Sequence, residues 1–186
     1  MDLAGWEQRY RSQEPSDSPP HPLVVEAASS VPPGRALDLA CGTGHNALWL
    51  AQHGWSVTAI DGAATAIEFL RRRAGDAGVT IDAQVAELED VSFTISPGRY
   101  DLIAMCYYFQ RNLIEPCKRG LVPGGVIVVI ALLMEPGKEN STFRLRPGEL
   151  RGCFADWDIL HYSEGTDEWQ HEVAELVARR PALANM

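Results

Sequence analysis

The sequence predicts an α/β fold, a doubly wound and mostly parallel sheet with helices on both faces and an antiparallel hairpin at its end. Three observations carry this. Short apolar, β-branched runs alternate with helix-spaced segments of about 10 to 15 residues, the pattern of βαβ crossovers. A glycine-rich turn joins the first such run to its helix, and the last two runs follow each other with no helix between them.

The elements are justified in chain order. Trp6 to Tyr10 reads as a short helical piece, after which Pro15, Pro19, Pro20 and Pro22 predict irregular chain. Residues 1–34 are therefore expected to be an N-terminal lid or helical segment ahead of one domain over 35–186. Leu23 to Ser30 predicts a helix ended by Pro32-Pro33-Gly34, and Arg35 to Ala40 the first strand. Asn46 to His53 has helical spacing and stops at Gly54. Trp55 to Ile60 predicts a buried strand, Ala63 to Ala77 a helix through Ile67, Leu70 and Ala74, and Val79 to Val85 a strand. Tyr100 to Cys106 is the next strand and Asn112 to Arg119 the next helix. The unbroken Val and Ile content of Val126 to Leu132 predicts the most buried strand. After a polar loop over Pro136 to Ser141 and a short helix over Pro147 to Phe154, Trp157 to Tyr162 and His171 to Arg179 predict the hairpin.

Composition narrows the function. The chain has 186 residues, 46% of them apolar, enough for one sizeable core. Its net charge of −9 disfavours nucleic-acid binding by phosphate neutralisation, so Arg71-Arg72-Arg73 reads as the solvated face of a helix. The longest apolar run, Val126 to Met134, is far shorter than the ~20 residues that cross a bilayer, and Met1-Asp2-Leu3 opens no signal-like segment. Cys41, Cys106, Cys117 and Cys153 have no metal-type spacing and read as reduced thiols of a cytoplasmic protein. The scattered histidines predict no metal site. A small-molecule partner is expected, with the oligomeric state, monomer or dimer, left open.

The chemistry concentrates in Asp38-Leu39-Ala40-Cys41-Gly42-Thr43-Gly44-His45-Asn46-Ala47. The glycines let the backbone turn tightly beside a ligand, and the amides of the following helix start point into the same space. Asp61, 19 residues beyond Gly42 at the end of the second strand, is placed to accept both hydrogen bonds of a ribose diol. Strand, glycine turn, helix start and acid together describe a Rossmann-like adenosine crevice. Asp38 is unfavourable beside a pyrophosphate and favourable beside an ammonium or sulfonium. That combination points to S-adenosyl-L-methionine, with S-adenosyl-L-homocysteine as product.

This string resembles motif I of the class I S-adenosylmethionine-dependent methyltransferases, and Asp61 matches their ribose acid. The resemblance spans nearly the whole chain and is closest to the small bacterial TehB-like and thiopurine-methyltransferase-like group. Trp6-Glu7-Gln8-Arg9-Tyr10 is similar to that group's WxxRY opening, which folds over the cofactor. Leu121-Val122-Pro123-Gly124-Gly125-Val126 is similar to its LxPGG turn, and Arg146-Pro147-Gly148-Glu149-Leu150 to its late helix start. The resemblance implies a seven-stranded sheet whose last strand is antiparallel. It also implies cofactor contacts from Trp6, Arg9, Tyr10, Asp38, Ala40, Cys41, Gly42, Thr43, Gly44, Asn46, Asp61 and Gly62. Glu87-Leu88 stands where Asp-Leu commonly brackets the adenine, and Gly62 stands where a side chain is more usual.

Several residues carry two readings. Asp38 reads as a cofactor acid or a loop brace, Cys41 as a nucleophile or a packing residue, and His45 as a ligand contact or a solvated imidazole. The segment Cys106 to Arg111 follows the fourth strand, whose carboxyl end faces the crevice. Cys106 is expected near the cofactor, and Tyr107 and Phe109 line an acceptor pocket or fill the core. Arg111 and Arg144 steer an anionic acceptor or are surface charges.

Methyl transfer from a sulfonium needs alignment and exclusion of water more than acid or base, and the sequence shows no catalytic triad. Tyr107, Tyr108, His45 and Arg144 are the candidates if one is needed. The expected function is methyl transfer to a small thiol, oxyanion or other nucleophile. Two alternatives stand: a non-catalytic S-adenosylmethionine or S-adenosylhomocysteine-binding module, and an NAD-dependent oxidoreductase. The acceptor is set by residues 10–22, 107–111 and 134–146.

Overall fold

The computed structural model describes residues 2–12, 17–135 and 142–182. The strands form a seven-stranded mixed sheet of order β3-β2-β1-β4-β5-β7-β6. The chain divides into two compact units, Met1–Phe93 and Thr94–Met186. Pro15 and the polar loop over 136–141 lie outside the described residues.

In the first unit β1 (Arg35–Leu39), β2 (Ser56–Asp61) and β3 (Ile81–Val85) run parallel, with Asp38 opposite Ala59 and Asp61 opposite Val85. Helix α3 (His45–Gln52) follows β1, and α4 (Ala64–Asp76) buries Ala66, Ile67, Leu70 and Ala74, an apolar stripe at helical spacing. Two expectations change here. Pro22, read as a breaker, is the first residue of α2 (Pro22–Ser29), because a helix start needs no N–H there; the His21 ring accepts from the Leu23 amide. Arg71 and Arg73 are not simply solvated: they donate to the carbonyls of Ala83 (2.6 Å) and Thr43 (3.0 Å) and so tie α4 to β3 and to the turn after β1. Helix α1 (Leu3–Ser12) is longer than the predicted piece and is docked by Glu7, whose carboxylate accepts from the Thr65 hydroxyl (2.6 Å) and amide (3.2 Å).

In the second unit β4 (Tyr100–Cys106) and β5 (Leu121–Leu132) run parallel, connected by α5 (Arg111–Gly120). Val126 to Ala131 of β5 are fully buried, as the unbroken β-branched run predicted. The strand begins five residues earlier than expected because Leu121 already pairs with Tyr100, ahead of a register shift. After α6 (Glu149–Cys153), β6 (Asp158–Thr166) and β7 (Glu172–Arg179) form the antiparallel hairpin, with β6 running four residues past the Tyr162 at which its apolar run ends. β7 lies antiparallel on β5, with Leu132 opposite Val173. The C-terminal ends of β4 and β5 and the β6–β7 turn therefore share one end of this unit. Among the described residues no helix is long and apolar enough to cross a membrane.

Candidate functional site

The turn after β1 is built almost wholly from backbone. The Cys41 amide donates to the Ile60 carbonyl at 3.0 Å, and the Gly44 amide closes a tight turn on the Cys41 carbonyl at 2.9 Å. Gly44 caps α3 at φ 83°, and a Cβ there would overlap Leu70 of α4, so both conformation and space demand glycine. Gly44 itself offers α3 no side-chain cap, and among the amides of the first turn that of Ala47 bonds Asp38.

Two carboxylates flank the turn. Asp61 closes β2; its Oδ2 accepts from the Gly42 amide and its Oδ1 from the Ala63 amide, both at 2.8 Å. A carboxylate has about four acceptor positions, so both oxygens keep capacity for a diol. Burial raises its pKa against the lowering effect of these two amides. Asp38, in β1, is only 1% exposed, and its Oδ2 has no hydrogen-bond partner among the described residues. Burial pushes its carboxyl up to about 7; the Ala47 amide opposes the shift and the Asp61 charge adds to it. An under-compensated buried carboxyl is costly on its own and fits a cationic ligand group.

Helix α1 covers the turn. The Tyr10 hydroxyl packs against Gly42, where a Cβ would come within 2.9 Å of it. Burial, then Asp61 and Cys41, drive the Tyr10 phenol upward, so it stays neutral. Trp6 stacks on Tyr10 at 5.8 Å, and the Arg9 guanidinium lies 5.2 Å from the Trp6 ring centre. Leu3 occupies the space above Gly62, with its Cδ1 2.8 Å from where a Cβ would stand. The missing side chain at Gly62 is thus made good by a leucine from another element.

The remaining predicted residues of this unit have specific tasks. Burial, with Asp38 and Asp61, raises the Cys41 thiol well above its ordinary range, which favours the packing reading. Ala40 adopts φ 53° as the chain leaves β1. Thr43 is buried and its hydroxyl lies 3.4 Å from the His45 ring. His45 is half-buried, and burial, then Arg73, lowers its pKa. The Asn46 side chain accepts from the His21 amide at 2.9 Å, anchoring the entry to α2. After β3, Glu87 is exposed and Leu88 buried.

The second unit carries the other predicted residues. Cys106 ends β4 half-buried, and Tyr107 follows at φ 57°, with its amide on the Ile130 carbonyl at 2.7 Å. Burial and the neighbouring Asp167 drive the Tyr107 phenol upward, and its ring meets Trp169 edge-on at 5.5 Å. Tyr108 lies against Phe143 at 5.9 Å, and Phe109 is core. Arg111 grips Glu149 through Nε–Oε1 (2.6 Å) and Nη2–Oε2 (2.9 Å) and donates to the carbonyls of Thr142 and Arg144. Arg144 donates to the Leu133 carbonyl at 2.7 Å and pairs with Glu135 at 2.8 Å. Both arginines are structural braces; neither of the two readings anticipated that. Leu3, Glu7, Thr65, Phe143, Asp167 and Trp169 were not foreseen, since each acts on a residue distant in sequence.

Comparison with known proteins identifies the family. The family described as tellurite resistance protein TehB matches residues 6–177. Hemagglutinin 1 of Eikenella corrodens is 28% identical over 154 residues, covering 77% of this chain and 50% of that protein. The probable S-adenosyl-L-methionine-dependent methyltransferase TehB of Haemophilus influenzae is 27% identical over 169 residues, covering 86% and 58%. The crystal structure of TehB from Haemophilus influenzae superposes with a TM-score of 0.76 at 24% identity, over 94% of this chain and 67% of that one. The chain spans about half to three fifths of the length of these curated relatives. With this match over most of its length, the chain belongs to the family described as tellurite resistance protein TehB.

Proposed function

We propose that this chain binds S-adenosyl-L-methionine and directs its methyl group in line onto a small-molecule nucleophile, releasing S-adenosyl-L-homocysteine. The observation that carries the reading is Asp38, a buried carboxyl with one oxygen unpartnered beside a glycine turn and the start of α3. In this reading Asp38 faces the ligand's positive charge and the amides of His45 and Asn46 receive its carboxylate. Asp61 takes the ribose diol, and Glu87 and Leu88 flank the adenine beside Gly62. Residues 1–34 act as the lid through Trp6, Arg9 and Tyr10, which the packing of Tyr10 on Gly42 supports.

When bound, the cofactor supplies a methyl on a sulfonium that leaves as a neutral thioether. The chain's tasks are then to hold charge, align the partners and exclude water. The cytoplasm is the expected compartment, in keeping with four cysteines that are free thiols.

Calorimetry with S-adenosylmethionine, S-adenosylhomocysteine and NAD(H) tests this. Binding of the first two only, weakened at least 100-fold in Asp61→Ala, is expected. Binding of NAD(H) instead, or unchanged affinity in the variant, would overturn it.

A further inference from the structure

If the His45 and Asn46 amides hold the carboxylate of the cofactor, the peptide that leads into them, Thr43–Gly44, has to keep one orientation. The carbonyl and amide of a trans peptide point in opposite directions, and here each is engaged. The Gly44 amide donates to the Cys41 carbonyl at 2.9 Å, inside the turn. The Thr43 carbonyl accepts from Arg73 Nη1 at 3.0 Å, a donor 30 residues further along the chain.

This peptide is the place at which the turn is free to move. Gly44 sits at φ 83°, and a glycine passes between positive and negative φ without the clash that a Cβ brings. A flip of the peptide ahead of it would exchange the directions of the Thr43 carbonyl and the Gly44 amide and re-aim the amides that follow. The bond inside the turn is an ordinary amide–carbonyl one. The bond from Arg73 is charge-assisted, a kind about twice as strong as a neutral one.

Arg73 reaches this carbonyl because of its place on α4. Leu70 and Arg73 are three positions apart and so share one face of the helix. Leu70 fills the space beside Gly44, and Arg73 holds the carbonyl next to it. The other ion pair of Arg73, with Asp17, is long at 3.6 Å and involves a fully exposed carboxylate, where water screens the charge. The Arg73 side chain is itself only 21% exposed, so its bond to Thr43 is partly shielded from water.

We propose that Arg73 is a positioning residue for the amino-acid end of the bound cofactor: through the Thr43 carbonyl it fixes the peptide from which the His45 and Asn46 amides are presented. This rests on the S-adenosylmethionine reading above and deepens it, and all the residues involved lie in the first unit.

The test compares two ligands that differ only at that end. S-adenosylhomocysteine carries the amino-acid group, whereas 5′-methylthioadenosine keeps the adenine, ribose and thioether without it. In calorimetry, Arg73→Met is expected to weaken S-adenosylhomocysteine about tenfold and to leave 5′-methylthioadenosine within about twofold of wild type. Arg73→Lys keeps a donor but not the planar fork, so it should lose about threefold, again for S-adenosylhomocysteine alone; it carries the test if the methionine variant does not fold. Arg72→Met, at the neighbouring residue whose guanidinium lies over the Phe69 ring, should change neither affinity. Three results overturn the proposal: equal weakening of both ligands, which marks a merely structural support; unchanged S-adenosylhomocysteine affinity in the Arg73 variants; or the same loss in Arg72→Met, which traces to helix charge. Wild-type protein that binds neither ligand, or binds S-adenosylhomocysteine no more tightly than 5′-methylthioadenosine, overturns the cofactor reading and the proposal with it.

Discussion

In the first unit the turn after β1 is held mainly by backbone bonds and by Asp61 on the Gly42 amide 19 residues away, with Arg73 bracing the Thr43 carbonyl. In the second, the residues beyond β4 and β5 are fixed by long-range arginine contacts, as Arg111 is to the Thr142 carbonyl and the Glu149 carboxylate, 31 and 38 positions distant. The two designs suit different tasks. Amides and a strand-end carboxylate recognise a cofactor with few side chains, and their geometry follows from a short stretch of chain. A network of long-range side chains shapes a surface that substitution can retune without disturbing the sheet beneath it.

The largest effect that sharpens this contrast is expected at Gly44. Gly44→Ala requires φ 83° of an L-residue and drives its Cβ into Leu70. It should destabilise the fold by about 3 kcal/mol, from strain and overpacking together, read as a lowered urea midpoint. A change under 0.5 kcal/mol would mean that the turn is softer than its backbone bonds imply.

The next effect is electrostatic. Asp38→Asn should weaken S-adenosylmethionine about tenfold and S-adenosylhomocysteine less, because the latter lacks the sulfonium. In the wild type, S-adenosylmethionine affinity should fall as pH is lowered through about 7, where Asp38 takes up a proton. The stability sign is opposite. A carboxyl raised on folding contributes stability that is complete below its ordinary value near 3.8 and is lost as pH rises through about 7. The ligand-free Asp38→Asn protein should therefore melt higher than wild type at pH 8, while the two converge at pH 4. Calorimetry and thermal melts against pH measure both halves, and a flat affinity profile would remove Asp38 from the cofactor's charge.

The smallest effect belongs to the second unit. Arg111→Ala removes a bidentate pair that is part exposed, so screening limits its stability cost to about 0.5–1 kcal/mol. S-adenosylhomocysteine affinity should stay within twofold of wild type. A larger change in cofactor affinity would show that the two designs are coupled.

Much of this was legible in the sequence. The β-branched run of β5, the helical stripe through Ile67 and Leu70, and the spacing of Gly42 to Asp61 are local or periodic signals, and each appears where its period places it. Pro22 was misjudged because a proline breaks a helix interior but suits its first residue. β6, the first strand of the hairpin, runs past its apolar stretch because it lies at the sheet edge and Ser163 to Thr166 carry no apolar alternation to mark them.

What the sequence determined by itself is therefore the fold class, the order of the elements and the position of the glycine turn with its two acids, because these depend on local propensity, on hydrophobic period and on fixed spacings along one βαβ unit. Only the tertiary structure decided that Leu3 fills the place above Gly62, that Tyr10 packs on Gly42, that Arg111 and Arg144 are braces, and that Trp169 stands exposed beside Tyr107. Each of those is a meeting of residues far apart in the chain, whose outcome rests on which side chains burial and charge pairing bring into contact.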